Sequence, residues 1–255
     1  MPTGIKFVYN EPAMVIHSGK DHHLVVGDLH IGVERNLHAR GVHVFNATDF
    51  MAERIKKIMK EFSLKKIIML GDIKETVLYP DTTSARLIKE FFSQLQDFEI
   101  TVVAGNHDAH LGDIVDLPMT RELVLDGFAL LHGDKNPSES AMQSDYIITA
   151  HNHAMVRITD KNGAVYDEKV WFISRLDWTA AHETYTKANK KIKLIVMPAF
   201  NSLITGTEIS RFYKESASPL LRNRIFKYDD AEIYNLAGQR IDITALRSGD
   251  NTPTV

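Results

Sequence analysis

The sequence feature that most constrains the fold is residues 100–108, where an apolar run ends abruptly in polar residues. Residues 100–104 have the character of a buried β-strand, and residues 105–108 follow with a glycine, an asparagine, a histidine and an aspartate. In open α/β sheets, ligands bind at the carboxyl ends of the strands. The stretch therefore predicts a strand that carries functional side chains into a binding site.

Four other apolar runs end in the same way. Asp28 and His30 follow residues 24–26, Asp72 follows residues 67–70, His132 follows residues 128–131, and His151 and His153 follow residues 146–150. One such motif is weak evidence, because most isolated histidines lie on the surface or are hydrogen-bonded in the core. Five strands that each end in metal-type ligands indicate a shared metal site.

The ordered series of these motifs resembles the signature of the calcineurin-like metallophosphoesterases. The matching motifs are Asp28-Leu29-His30, Gly71-Asp72, Gly105-Asn106-His107-Asp108, His132-Gly133-Asp134 and His151-Asn152-His153. Within that superfamily the chain looks most like the SbcD-related prokaryotic group, on residues 28–34 and on Pro198-Ala199-Phe200-Asn201.

The resemblance implies a binuclear metal-dependent phosphoesterase, with Mn²⁺ as the expected ion and Fe, Zn or Ni as alternatives. Two divalent ions can supply a nucleophilic hydroxide at neutral pH and a positive clamp on the phosphoryl oxygens, and such a pair needs a bridging carboxylate. Asp72 is the natural bridge. The resemblance assigns Asp28, His30 and His153 to the first ion, and Asn106, His132 and His151 to the second.

His107 is left over from this ligand set and lies next to Asn106 in the sequence. That position suits a general acid that protonates the leaving oxygen, with Asp108 orienting or polarising the imidazole. A buried, hydrogen-bonded histidine is the alternative. Asp134 is expected either to hold an imidazole by its second nitrogen or to serve as a turn or helix-cap aspartate.

Two positions depart from the family pattern. Ala150 stands where the family usually has glycine, a small change that fits if the backbone there has a negative φ. Residues 73–75 read Ile-Lys-Glu instead of the Asp or Asn pattern common after the second motif, so Glu75 is left out of the predicted ligands.

Parallel strands with covering helices in the first half and hairpins in the second half indicate an α/β fold. The resemblance implies a four-layer αββα sandwich of two mixed sheets with flanking helices. Helices are expected over residues 47–62, 82–96 and 177–188. Hairpins are expected around Asp126-Gly127, Asn162-Gly163 and Ala237-Gly238, and short initial strands at residues 5–9 and 13–17.

Length and composition indicate one calcineurin-like domain over residues 1–255, with the tail from about residue 207 packed on it. The chain has no cysteine, which excludes disulfides and thiolate zinc sites. Ordinary hydrophobicity disfavours a membrane protein, and the lack of a signal-like N-terminus predicts a cytoplasmic location. A net charge of -3 gives no basic footprint of a nucleic-acid coat protein.

The expected substrate is a phosphate ester, and two enzymatic alternatives stay open. One is a nuclease or phosphodiesterase acting on DNA, and the other is a phosphodiesterase or phosphatase acting on small nucleotides. A non-catalytic interaction scaffold is a remote third, since neither the ligands nor the general acid are missing. The substrate, the native metal and the oligomeric state do not follow from the sequence.

Overall fold

The computed structural model describes residues 4–159 and 162–242, and within these residues the strands form two mixed β-sheets that pack face to face. Helices cover the outer face of each sheet. The predicted α/β sandwich of two mixed sheets is therefore confirmed.

The first sheet has six strands in the described part of the chain, and their spatial order equals their sequence order. They are β1 (Ile5–Phe7), β2 (Met14–Ser18), β3 (Asp21–Gly27), β4 (Lys66–Leu70), β5 (Glu99–Val103) and β6 (Met119–Thr120). The strands β1 to β3 pair antiparallel, and β3 to β6 pair parallel. Three helices lie between these strands in the sequence: α1 (Val33–Ala39), α2 (Ala47–Glu61) and α3 (Thr82–Ser93).

The second sheet is formed by the later described strands. They are β7 (Glu122–Leu125), β8 (Phe128–Leu131), β9 (Tyr146–Thr149), β10 (Met155–Thr159), β11 (Val165–Arg175), β12 (Lys193–Val196), β13 (Glu232–Asn235) and β14 (Arg240–Ile241). The spatial order is β14-β13-β11-β12-β9-β8-β7, with β10 paired to β11. Strands β8, β9 and β12 run parallel, so their carboxyl ends meet at one edge.

The predicted hairpins are confirmed. Strands β7 and β8 pair across Gly127, whose φ of +76° is a conformation that glycine adopts without strain. Strands β10 and β11 pair antiparallel, as do β13 and β14. The sequence pattern extends the last strand of this hairpin to Ile243, which lies outside the described residues.

The prediction of a helix over residues 177–188 is wrong, because the helix in the structure is much shorter. Only α4 (Trp178–Ala181) is helical in this stretch, and the other described helices of this half are α5 (Phe212–Glu215) and α6 (Pro219–Arg222). Tyr185 is buried and its hydroxyl donates to the carbonyl oxygen of Pro137, while Asn189 N–H donates to the carbonyl oxygen of Met142. Tertiary contacts with another loop thus replace the helical pattern.

Alternate residues of the strands face different layers, as the period of two requires. In β3, Leu24 and Val26 pack towards α2 and α3, whereas Val25 packs between the sheets against residues such as Ile148 and Ile195. The other face of the second sheet is covered by the short helices α4 to α6. Among the described residues, no helix combines the length and apolar character needed to cross a membrane.

Candidate metal centre

The candidate ligands sit on loops directly after β3, β4, β5, β8 and β9. Asp28, His30, Asp72, His151 and His153 all have left-handed backbones, with φ values of 55°, 44°, 49°, 64° and 46°. Such a conformation costs about 1–3 kcal/mol for a residue other than glycine and collects at functional sites. On an extended chain, residues two apart such as His151 and His153 would point to the same side, but the left-handed backbone at both residues means that this rule does not apply here.

Backbone hydrogen bonds between neighbouring loops support this strained conformation. Asp28 N–H donates to the carbonyl oxygen of Gly71 at 3.1 Å, and His30 N–H donates to that of Asp72 at 2.8 Å. The side chain of buried Asn201 connects the loop after β3 to the loop after β12, since its amide donates to the carbonyl oxygen of Leu29 at 2.8 Å. The loops after β3 and β4 are thus fixed as one unit.

A first cluster brings together Asp28, His30 and His153, whose ligand atoms lie within 4.8 Å of one another. A carboxylate oxygen of Asp28 lies 3.4 Å from Nε2 of His153, and Nε2 of His30 lies 3.4 Å from the same atom. Asp28 and His30 are buried. These are the residues that the sequence assigns to the first ion.

A second cluster contains Asp72, His132 and His151. Nε2 of His132 lies 3.2 Å from a carboxylate oxygen of Asp72 and 3.0 Å from Nδ1 of His151. The amide oxygen of Asn106 lies 3.2 Å from the same Nε2 atom. The structure thus brings Asn106 into the group to which the sequence assigns it.

Asp72 lies between the two clusters. One of its carboxylate oxygens is 3.2 Å from His132 Nε2 and 3.9 Å from His30 Nε2, while the other accepts a hydrogen bond from His107 N–H at 2.9 Å. A carboxylate that touches a histidine of each cluster is in the position that a bridging ligand needs.

The chemistry of the donor set fits bound cations. Nδ1 of His30 faces a carboxylate oxygen of Glu75 at 2.9 Å, and Nδ1 of His153 faces the carbonyl oxygen of Thr205 at 3.3 Å. Because these oxygens can only accept, both Nδ1 atoms carry the proton in the neutral rings. The two Nε2 lone pairs then face each other, an arrangement that a cation between them would stabilise.

Charged groups inside the site shift the pKa values of its side chains. Burial opposes ionisation of Asp28, but the nearby imidazoles of His153, His132 and His30 hold its pKa below the usual value. Burial lowers the pKa of His132, yet its hydrogen bond to Asp72 and the charges of Asp28 and Asp72 outweigh this and raise the pKa to about 9. Without ions, the site therefore retains protons to neutralise its carboxylates.

Glu75 is a site residue that sequence reasoning left out. Besides its bond to His30, its carboxylate accepts from the Asn36 amide at 3.2 Å. A carboxylate on the second nitrogen of a metal-binding histidine fixes the ring and strengthens it as a ligand. The only hint in the sequence is the spacing of an acidic residue three positions after Asp72.

The ring of His107 lies at the edge of the site, with its side chain 24% exposed. Its Nδ1 donates to the carbonyl oxygen of Glu75 at 2.6 Å, so Nε2 is the atom left to exchange a proton. That Nε2 atom lies 4.0 Å from a carboxylate oxygen of Asp72. His30, Asp72 and His107 also form a group close enough to hold a metal ion, which makes a ligand role the alternative to proton transfer.

The geometry does not support the prediction that Asp108 orients His107. The Asp108 carboxylate is buried and accepts from the backbone N–H groups of Gly105 and Ile73, both at 2.8 Å. The ring of His107 is held by Glu75 instead. Asp108 therefore braces the loops after β4 and β5, because short acidic side chains bond readily to nearby backbone N–H groups.

Asp134 is half-buried beside the second cluster, and its negative charge contributes to the raised pKa of His132. Within the described residues, Nδ1 of His132 is buried without a hydrogen-bond partner. The structure therefore shows Asp134 near an imidazole but not bonded to that nitrogen.

Small residues allow the strand ends to approach. A Cβ atom on Gly105 would lie 2.3 Å from an Asp72 carboxylate oxygen, and one on Gly71 would lie 2.0 Å from His132 Nδ1. Ala150 replaces the usual glycine without strain, since its backbone lies outside the left-handed region. Its methyl group instead lies against Gly27.

Two open grooves flank the clusters. The larger, of about 640 Å³, is lined by Asn106, by the cations Arg121 and Lys135 and by the acids Asp108, Glu122 and Asp134. We call it the Arg121 groove. The other, of about 370 Å³, lies between α1 and residues 74–81 and is lined by Arg35, Leu78 and Tyr79. One groove thus reaches Asn106, and the other reaches Glu75, the hydrogen-bond partner of His30.

A family model and one solved structure agree with this architecture. A family model described as calcineurin-like phosphoesterase matches residues 23–234. Among solved structures, a nuclease, MPE, from Pseudomonas putida is similar with a TM-score of 0.56 and 16% identity, over 91% of this chain and 97% of that chain. The E. coli phosphoesterase Yfce matches 54% of this chain and 73% of its own, with a TM-score of 0.35 and 16% identity. No match was found among curated proteins.

Proposed function

Because the chain belongs to the calcineurin-like phosphoesterase family and is therefore a hydrolase acting on ester bonds, we propose that it is a binuclear phosphodiesterase that cleaves nucleic acid. The observation that carries the binuclear part is the sharing of Asp72 between two clusters of ligand atoms. A single ion would not need this arrangement.

We assign Asp28, His30, Asp72 and His153 to one ion, and Asp72, Asn106, His132 and His151 to the other. The ions, when bound, activate water and neutralise charge on the phosphoryl oxygens. Mn²⁺ is our expected ion, as the family resemblance implies, and Fe, Zn and Ni are the alternatives, because the imidazole donors suit them.

The protein itself supplies the proton for the leaving group. His107 Nε2 faces the site while its Nδ1–H is fixed on the carbonyl oxygen of Glu75. In the protonated ring, Nε2–H can be delivered to the ester oxygen that departs, and the fixed Nδ1–H keeps the ring in that orientation. Glu75 supports His30 through its side chain and His107 through its backbone.

The shape of the site favours a polymeric substrate. Grooves of about 640 and 370 Å³ contain Asn106 and Glu75 in their respective walls, which suits a strand that passes both residues. Within the Arg121 groove, which also holds Asp108, Glu122 and Asp134, the groups that can contact backbone phosphates are Arg121 and Lys135. The likeness to a nuclease over most of both chains agrees with this assignment at the level of the fold.

The test is metal analysis of the purified protein, combined with Mn²⁺-dependent hydrolysis of single-stranded DNA, duplex DNA and a panel of cyclic and simple nucleotides. We expect two ions per chain and faster hydrolysis of DNA. Faster turnover of small nucleotides would replace the nuclease assignment with the second enzymatic alternative. Intact metal binding without hydrolysis of any ester would favour the scaffold.

A further inference from the structure

The loop after β4 exposes three consecutive apolar side chains beside the site. Val77 is 50% exposed, Leu78 77% and Tyr79 62%. We call residues 76–79 the apolar rim; it contains a threonine, a valine, a leucine and a tyrosine and no charged side chain. Contiguous exposed apolar side chains often mark a binding surface.

The backbone of the apolar rim is held from below by a buried lysine. Lys74 has no exposed surface, and its ammonium group donates to the carbonyl oxygens of Thr76, Val77 and Leu78. Burial of an ammonium is costly unless its donors are satisfied. The fold therefore uses a buried cation to keep these apolar side chains facing solvent.

Both ends of the apolar rim are tied to the rest of the structure. At its start, the carbonyl oxygen of Glu75 accepts from His107. At its end, the Tyr79 ring lies 5.4 Å from the ring of His110, and Arg35 bonds Asp81 at 2.8 Å. The exposed ring of Tyr79 is thus fixed on the same loop that supports the candidate general acid.

We infer that the apolar rim is a base-binding surface, on which Tyr79 and Leu78 receive an unstacked nucleobase next to the scissile phosphate. The inference rests on the proposed function and names its substrate class as single-stranded nucleic acid. A nucleobase has an uncharged π-face that stacks on an aromatic ring, and such stacking tolerates any base. Bases inside a duplex are already stacked and cannot reach the ring.

The two grooves then have separate roles. Both grooves contain charged side chains, but only the groove beside α1 also has an aromatic ring, that of Tyr79, on its wall. We therefore assign a base to the groove beside α1 and the phosphate backbone to the Arg121 groove. Asn106 of the second cluster lines the Arg121 groove, and Glu75, which bonds His30, lines the groove beside α1. A protein partner on the apolar rim is the competing occupant, and it predicts no dependence on the bases of a substrate.

The test compares a short single-stranded oligonucleotide with an oligonucleotide of the same length that lacks the bases flanking the cleaved bond. For Tyr79→Ala we expect KM for the base-bearing strand to rise by about 5- to 150-fold, the range for loss of one stacked base, with little change for the abasic strand. Tyr79→Trp should restore the parental KM. Tyr9→Ala removes a tyrosine that is 72% exposed at the edge of the first sheet and is the matched control.

Binding is measured in parallel by fluorescence anisotropy with metal-free protein, so that the inference can be judged even if the parent hydrolyses neither strand. In that case the proposed function fails, while a selective loss of affinity for the base-bearing strand in Tyr79→Ala still supports the apolar rim. Equal effects of Tyr79→Ala on both strands, or none on either, overturn the inference.

Discussion

Nδ1 of His30 lies 2.9 Å from a carboxylate oxygen of Glu75, although the two residues belong to loops after different strands. The bond decides which nitrogen of His30 is presented to the candidate metal centre. It also connects His30 to the loop that holds His107 through the Glu75 carbonyl oxygen. One residue therefore supports a candidate ligand and the candidate acid.

We expect Glu75→Ala to weaken metal binding by about 10- to 100-fold, the range typical for loss of such a support. Glu75→Gln keeps an acceptor for His30 and should weaken metal binding less than Glu75→Ala does. Calorimetric titration with Mn²⁺ measures the affinity of both variants. Glu99→Ala, at an exposed carboxylate on the far end of β5, is the control. Parental affinity in Glu75→Ala would show that the bond has no role in metal binding.

Asp72→Asn should lower the affinity for both ions and abolish hydrolysis, because the substitution weakens the shared ligand. Asp134→Asn should keep both ions and part of the turnover, since Asp134 acts on His132 only through its charge. Metal content by mass spectrometry and turnover are measured together. Similar residual activity and metal content in the two variants would contradict the bridging role.

His107→Ala should keep two ions yet lose about 10²- to 10⁴-fold in rate on esters with poor leaving groups. The loss should be smaller on nitrophenyl esters, because nitrophenolate departs without a proton. Metal content and turnover of both ester types, for the variant and its parent, provide the comparison. One lost ion, or the same fractional loss on both esters, would assign His107 to the ligands instead.

Gly105→Ala should disrupt the site, because a Cβ atom there meets an Asp72 carboxylate oxygen at 2.3 Å. We expect a loss of stability of about 1–3 kcal/mol from overpacking, together with weaker metal binding. Gly112→Ala is the matched control, since its nearest neighbour is 3.9 Å away and neither glycine has a left-handed backbone. Urea unfolding with and without Mn²⁺ measures both effects, and equal behaviour of the two variants would refute the packing argument.

The metal-free protein should become less stable as the pH rises from about 6.5 to 9. The pKa of His132 is raised to about 9 in the folded protein, above the value of about 6.5 in an unfolded chain. The stabilisation is therefore complete below pH 6.5 and is lost as the pH passes 9, by about 3 kcal/mol at most. Urea midpoints in EDTA at several pH values test this. His132→Asn should flatten the dependence, and a parental slope in that variant would disprove the assignment.

Much of the fold could be predicted from the sequence because its signals are local. The strand before Asn106 is a contiguous apolar run. Gly127 lies in a turn and has a positive φ, a conformation that glycine adopts without strain. The candidate ligands could be predicted because each follows such a run. Their convergence from both sheets is then a result of parallel strands ending at one edge.

The features that could not be predicted from the sequence depend on contacts between residues that are distant in the chain. Glu75 meets His30 across two loops, and the carboxylate of Asp108 turns to the backbone of Ile73 instead of to the neighbouring imidazole. Tyr185 lies in a stretch with a helical sequence pattern, but its hydrogen bond to Pro137 holds it in a different conformation. No local pattern contains these partners, so tertiary structure decides them.

The candidate ligands come from both sheets, and His30 and His153 are 123 positions apart in the sequence. Ions held between them would join the two halves of the sandwich at one edge and close a very long loop of chain. Cross-links across long loops restrict the unfolded chain most in theory. In a protein without cysteine, the metal pair would thus serve as a reversible counterpart of a disulfide, formed and released by the supply of ions instead of by redox state.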